Sequence, residues 1–181
     1  MRDAQFLEDL RARVNAGEKL EYLFFWGHQR PKDGVTASCF SQWYGAPFVV
    51  DDQRYPTAEH FMMAEKAALF GDHQIRMQVL QADSPGAAKA LGRKVRGFDE
   101  ATWVDNRFGI VVRANTAKFA QNPELSQFLR QTGSRVLVEA SPVDRIWGIG
   151  LAKDDEKVNS PKLWRGLNLL GFALMQVRDA M

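Results

Sequence analysis

The sequence predicts a single helix-rich α+β domain with a few short strands. Its β-prone runs are few and mostly early, so they do not alternate with helical segments as a parallel sheet would require. Three helix starts place Ser84, Asn122 or Ser160 directly before a proline. There the cap side chain can accept a backbone N–H, and the missing N–H of proline is no loss. No repeat, low-complexity tract or Pro/Gly/Ser linker divides the chain. Its 181 residues, 45% hydrophobic, suffice for one core.

Taken in order, residues 1–20 read as an amphipathic helical extension, because "MRDAQFLEDLRARV" carries acids through its apolar positions and lacks the continuous apolar core of a secretory signal. "EYLFFW" from Glu21 is aromatic and β-prone. "PFVVDDQRY" sets two apolar flanks around Asp51 and Asp52, the pattern of a short hairpin. Thr57 is placed to cap a helix from Ala58 to about Leu69, and Asp72 a second through "HQIRMQVLQA". "RVLVEAS" from Arg135 is rich in Val and Leu and reads as a strand feeding the loop "PVDRIWGIGL". After Ser160, Leu163, Leu167, Leu170, Leu174 and Val177 form one apolar helical stripe, with Asn168 at its edge beside Trp164 and Gly171.

Composition narrows the function. Lys and Arg total 24 against 22 Asp and Glu, and a net charge of +2 lacks the basic bias of a general nucleic-acid coat, while a local anion pocket stays open. The lone Cys39 excludes an intrachain disulfide framework and any multi-cysteine zinc site, fits a reducing compartment, and reads as a core residue. The most apolar late stretch, "GLNLLGFALM", is about half the ~20 residues that span a bilayer. A soluble cytoplasmic protein with no membrane partner is expected, and nothing in the pattern sets an oligomeric state. His28, His60 and His73 form no paired metal-ligand spacing, so no metal is expected. No Walker loop, no GxGxxG after a strand and no GxSxG elbow occurs. Nothing points to a cofactor, and the acids remain as the candidate chemistry.

Glu59, Met62, Met63 and Lys66 fall on one helix face. That face is either an apolar stripe with an exposed acid and base on its rim, or a carboxylate held among apolar side chains, its pKa raised by desolvation against the pull of the lysine. In "LVEASPVDRIWGIG", Glu139 and Asp144 bracket a turn and Trp147 precedes Gly148 and Gly150. It reads as a ligand cradle, with backbone amides for an anion and an indole face for a base, or as a glycine-rich turn beside a core tryptophan. "KALGRKVRGF" gathers Lys89, Arg93, Lys94 and Arg96 near a helix end. These are a solvated face relieving the helix dipole, or phosphate partners with Arg93 first among them.

In order, "FFWGH", "SQWYGAPF", "YPTAEHFMMAEKA", "ALGRKVRGF", "KFAQNPEL", "LVEASPVDRIWGIGL" and "WRGLNLLGFALMQVR" together resemble the NADAR family, over nearly everything from Tyr22 to Arg178. The resemblance implies a NADAR-like N-glycosidase domain at residues 21–181. Its substrates would be phosphoribosylamino-pyrimidine intermediates of riboflavin synthesis, or ADP-ribose attached to guanine in nucleic acid. It implies that Glu59, in "PT-x-EH", and Asp144, before "WG-x-G", are the catalytic acids, with Lys66, Arg93, Trp103, Trp147, Gly148 and Asn168 binding substrate. Core packing is the plain alternative for each binding position, and for Asn168 the satisfaction of a backbone group. A third reading is a non-catalytic ADP-ribose or nucleotide-binding module, against which both intact acids argue. "ASCFSQWYGAPF" departs from the "LSNF" type of sequence in many relatives, so substrate fit is expected to differ there.

Overall fold

A computed structural model describes residues 2–181. Among them the helices are α1 (Arg2–Asn15), α2 (Ala58–Leu69), α3 (His73–Leu80), α4 (Pro85–Gly92), α5 (Glu100–Ala120), α6 (Pro123–Arg130) and α7 (Leu169–Asp179). The strands are β1 (Tyr22–Phe25), β2 (Phe48–Val50), β3 (Gln53–Tyr55) and β4 (Val136–Glu139), and two 3₁₀ turns span Ala37–Phe40 and Pro161–Leu163. The class is α+β and helix-rich.

The first and last strands pair in parallel, Tyr22 opposite Val136 and Phe25 opposite Glu139, so everything from the first 3₁₀ turn to α6 is a crossover between them. Side chains alternate across a strand. Val136 and Val138 enter a core with Leu7, Leu10, Ile149, Leu151 and Trp164, whereas Leu137 enters the main core. The same period turns Glu139 toward the main-core side. Helix α2 lies at the centre of that core, with Ala58 through Ala64 and Ala67 all buried. Helix α1 seals the second core with Leu7 and Leu10, and its Asp3 forms an enclosed ion pair with Arg107 of α5 at 2.7 Å.

Strands β2 and β3 form the expected hairpin, and Asp51 and Asp52 take φ of 49° and 62°. Two successive left-handed residues match the twist of paired strands, and aspartate tolerates that region. Thr57, Asp72 and Ser84 cap their helices by accepting from the N–H of His60, Ile75 and Ala87. Asn122 instead donates to the carbonyls of Pro47 and Lys118.

The stripe expected after Ser160 is broken. Pro161–Leu163 makes one 3₁₀ turn, Leu163 is 50% exposed, and α7 starts at Leu169. Asn168 ends the break at φ 57°, where its Oδ1 accepts from the Glu139 N–H (3.0 Å) and its Nδ2 donates to the Leu137 carbonyl (2.9 Å). Bonding to buried β4 groups outweighs continuing the helix. Helix α5, which no expectation above placed, carries buried Arg107, Asn115 and Lys118 on its inner face, and these interrupt its apolar period. No helix among the described residues is long and apolar enough to cross a membrane.

Candidate active site

The carboxyl end of β4, helices α2, α4 and α5, and the loop after the first 3₁₀ turn surround a cleft of about 190 Å³. The "PTAEH" segment supplies Glu59 to it. Thr57 accepts from the His60 N–H, and its hydroxyl lies 2.7 Å from His60 Nδ1. His60 Nε2 stands 3.1 Å from the carbonyl of Ala82, which can only accept, so the proton sits on Nε2 and Nδ1 takes the Thr57 hydroxyl. Burial lowers the pKa of His60, in keeping with this neutral tautomer. His60 therefore ties α2 to the turn before α4.

Glu59 is not a rim acid: it is 2% exposed. Its N–H donates to the Gln42 carbonyl at 2.9 Å, and its Oε1 is enclosed without a partner. Burial pushes its carboxyl up to about 7, opposed by Lys89 and the Trp43 side chain, reinforced by Asp144 and opposed again by Arg93. Glu139 is partly open to the cleft, but its Oε2 is also enclosed and unpartnered. Burial, with Asp144 next, pushes it up to about 8 against Lys89. Asp144 is held differently: its Oδ1 accepts from the N–H of Ile146 and of Trp147, each at 2.8 Å. This aspartate turn fixes the carboxylate at the cleft wall.

Both glutamates hold protons in the folded chain that the unfolded chain loses above about pH 4.5. Where the folded state binds more protons, stability falls as pH rises, here from about 4.5 up to about 8. Glu139→Gln is expected to gain on the order of 3 kcal/mol over wild type at about pH 9 and almost nothing at about pH 4. Urea unfolding at both pH values checks this, and an equal difference at both would contradict it.

The cations come from two helices. Lys66 of α2 lies 4.3 Å from the Phe98 ring centroid and 5.4 Å from that of Trp103, and burial lowers its pKa. Lys89 and Arg93 line the same cleft from the last turn and C-cap of α4. Gly92 permits this approach, since a Cβ there would stand 2.1 Å from Met63 Sδ. Arg96 is committed elsewhere, with its Nε and guanidinium bound to Asp72.

Of the expected site residues, Glu59, Asp144, Lys66, Arg93, Trp103 and Trp147 line this one cleft. Gly148 and Asn168 lie behind it. A Cβ on Gly148 would stand 2.9 Å from the Glu139 carbonyl and 3.1 Å from that of Asp144, so this glycine lets the loop fold back on both acids. Asn168 spends both side-chain groups on β4. The cleft also holds Glu139, which the sequence sets with Asp144 around the candidate cradle turn, and it adds Gln42 and Trp43. The period of β4 turns Glu139 inward, since it shares the parity of Leu137. Gln42 and Trp43 fall in the segment "ASCFSQWYGAPF", where the sequence points to a difference in substrate fit but to no single residue. Among the described residues no three His, Cys, Asp or Glu side chains converge to hold a metal ion.

Residues 24–181 match the model of the NADAR domain. N-glycosidase R617 of Acanthamoeba polyphaga mimivirus is 41% identical over 165 residues, 88% of this chain and 95% of that one. Riboflavin biosynthesis protein PYRR, chloroplastic, of Zea mays is 36% identical over 132 residues, 69% of this chain but 19% of that one. N-glycosidase YbiA of Escherichia coli is 30% identical over 142 residues, 78% of this chain and 80% of that one. The NMR structure of the E. coli protein YbiA superposes with a TM-score of 0.69 at 26% identity, covering 90% of this chain and 86% of that one. With its motifs on one cleft and the family model spanning all but the N-terminal segment, the chain belongs to the NADAR family.

Proposed function

We infer that this chain is a hydrolase acting on N-glycosyl compounds, and we propose that it cleaves the ribose–nitrogen bond of phosphoribosylamino-pyrimidine intermediates of riboflavin biosynthesis, giving ribose 5-phosphate and the released base. The reading rests on two glutamates, each with one enclosed and unpartnered oxygen, lining one small cleft that also holds Asp144 and three cations. Relatives named N-glycosidase support the reaction class, and the relative named for riboflavin biosynthesis supports the substrate. The cleft is below the ~300–1,000 Å³ of pockets for drug-sized ligands, which favours a phosphopentose over an enclosed ADP-ribose. Residues 21–181 form the catalytic unit, with residues 1–20 as its extension, and the substrate is a cytoplasmic metabolite.

As the C1′–N bond breaks, its electron pair goes to nitrogen and positive charge develops at C1′. Ionised Glu59 faces that charge, favoured at the first turn of α2 by the helix dipole. Glu139, protonated near neutrality, gives its proton to the departing nitrogen. Asp144 orients the water that attacks C1′ and takes its proton. Lys66, Lys89 and Arg93 hold the 5′-phosphate, and Trp147 offers its face to the pyrimidine. The step needs acid, base and water and no redox cofactor.

Mass spectrometry of products tests the proposal, with chelator present and with 5-amino-6-(5-phosphoribosylamino)uracil or ADP-ribosylated guanine DNA as substrate. Ribose 5-phosphate from the first is expected. ADP-ribose from the second alone would move the substrate to nucleic acid, and no product from either would indicate a binding module.

A further inference from the structure

We propose that Gln42, whose side chain is held by Asn115 and whose backbone carbonyl accepts from the Glu59 N–H, contacts the 2′-hydroxyl of the substrate's sugar, so that the enzyme selects ribosides over 2′-deoxyribosides. The inference rests on the N-glycoside reading and adds the sugar group that is recognised. Gln42 lines the cleft at 6% exposure, and its Nε2 is buried without a partner. Its orientation is set from behind. Asn115, fully buried on α5, donates Nδ2 to the Val111 carbonyl (2.9 Å) and to Gln42 Oε1 (2.8 Å). A carbonyl can only accept, so Asn115 cannot be turned over, and Gln42 is left with N–H groups to offer.

The backbone around Gln42 is fixed as firmly. Its carbonyl accepts from the Glu59 N–H at 2.9 Å. Buried Lys118 donates to the carbonyls of Cys39 (2.6 Å) and Ser41 (2.9 Å). The segment thus sets a cleft-lining residue with an enclosed, unpaired donor on a backbone joined to that of Glu59, whose Oε1 is an unpaired acceptor. A phosphate would satisfy the amide but repel the carboxylate, and a base carbonyl would satisfy the amide alone. A hydroxyl satisfies both, because it accepts and donates at once. With Glu59 at C1′, the adjacent hydroxyl is the 2′-hydroxyl. A site built to bond a hydroxyl discriminates strongly against the analogue that lacks it, because its own buried groups are then left unpaired.

The test compares initial rates on the phosphoribosylamino substrate and its 2′-deoxyribosyl analogue, with calorimetric binding of ribose 5-phosphate and 2-deoxyribose 5-phosphate. Wild type is expected to prefer the riboside at least about 100-fold in kcat/KM, and Gln42→Leu to reduce that ratio below about 10-fold. Gln42→Met, unbranched and of similar length, serves if leucine disturbs the fold. Asn115→Ala is expected to lower the ratio too, and adding it to Gln42→Leu to lower it no further, since one acts through the other. Riboside turnover with an unchanged ratio in the Gln42 variants, or independent effects of the two sites, would overturn the inference and leave the N-glycosidase reading standing. If wild type turns over no ribosyl substrate and binds neither sugar phosphate, both fall.

Discussion

Replacing Glu59 by glutamine is expected to lower turnover by about 10³-fold while leaving the protein folded and, above neutral pH, more stable than wild type. The two effects have one cause. A carboxylate that is 2% exposed, with an unpartnered Oε1, is costly to ionise in the empty cleft, which is why its pKa lies at about 7. In the transition state that charge faces a developing cation, and the desolvation that destabilises the resting protein strengthens the attraction. Glutamine keeps the shape and the helix propensity but removes both consequences. Catalysis needs Glu59 ionised and Glu139 protonated, so kcat/KM for wild type is expected to pass through a narrow maximum between about 7 and about 8. In Glu59→Gln the residual activity should lose the acid-side fall. Steady-state rates across pH, with thermal melts of both proteins, measure this; near-normal turnover in the variant would remove Glu59 from the mechanism.

The second large effect concerns the junction of β4 with α7. Gly171→Ala is expected to destabilise the fold by about 3 kcal/mol or more, because its Cβ would stand 2.0 Å from the Leu137 carbonyl and 2.5 Å from Asn168 Nδ2. Neither neighbour can rotate away, since they are bonded to each other. Asn168→Gly isolates the other half of the junction. Glycine keeps the φ of 57° without strain but removes the side chain that pairs the Leu137 carbonyl and the Glu139 N–H. Leaving both buried groups unpaired should cost about 2–4 kcal/mol. Because Glu139 hangs from that N–H, turnover should fall as well, even where the variant remains folded. Denaturant unfolding and rates at low temperature separate the two effects; a Gly171→Ala protein as stable as wild type would mean that α7 slides along β4 at little cost.

Much of this was readable along the chain because it is local. Helix starts at Thr57, Asp72 and Ser84 follow from a cap side chain and its own first turn. The hairpin follows from Asp51 and Asp52 between apolar flanks. What escaped depends on contacts distant in sequence. Leu163 and Leu167 continue a helical period that the chain abandons, and the reason is the bonding of Asn168 to β4, 29 and 31 residues earlier. Helix α5 hides its inner face behind buried polar groups that serve the cleft loop. Periodicity put Glu59 on a mixed face and left open whether that face was a rim. Its burial is decided by Gln42 and by the walls built from α4 and β4.

The parallel pairing of β1 with β4 carries a consequence for how the molecule is made. Tyr22 through Phe25 leave the ribosome well before Val136 through Glu139, their strand partner among the described residues, which emerge after the hairpin and five helices. Closing so long a loop is entropically expensive and slow. Until it closes, an aromatic strand edge stays open to other chains, the usual start of aggregation. The acids meet only at this closure, so a nascent or partly refolded chain can have every helix in place and still lack an active site.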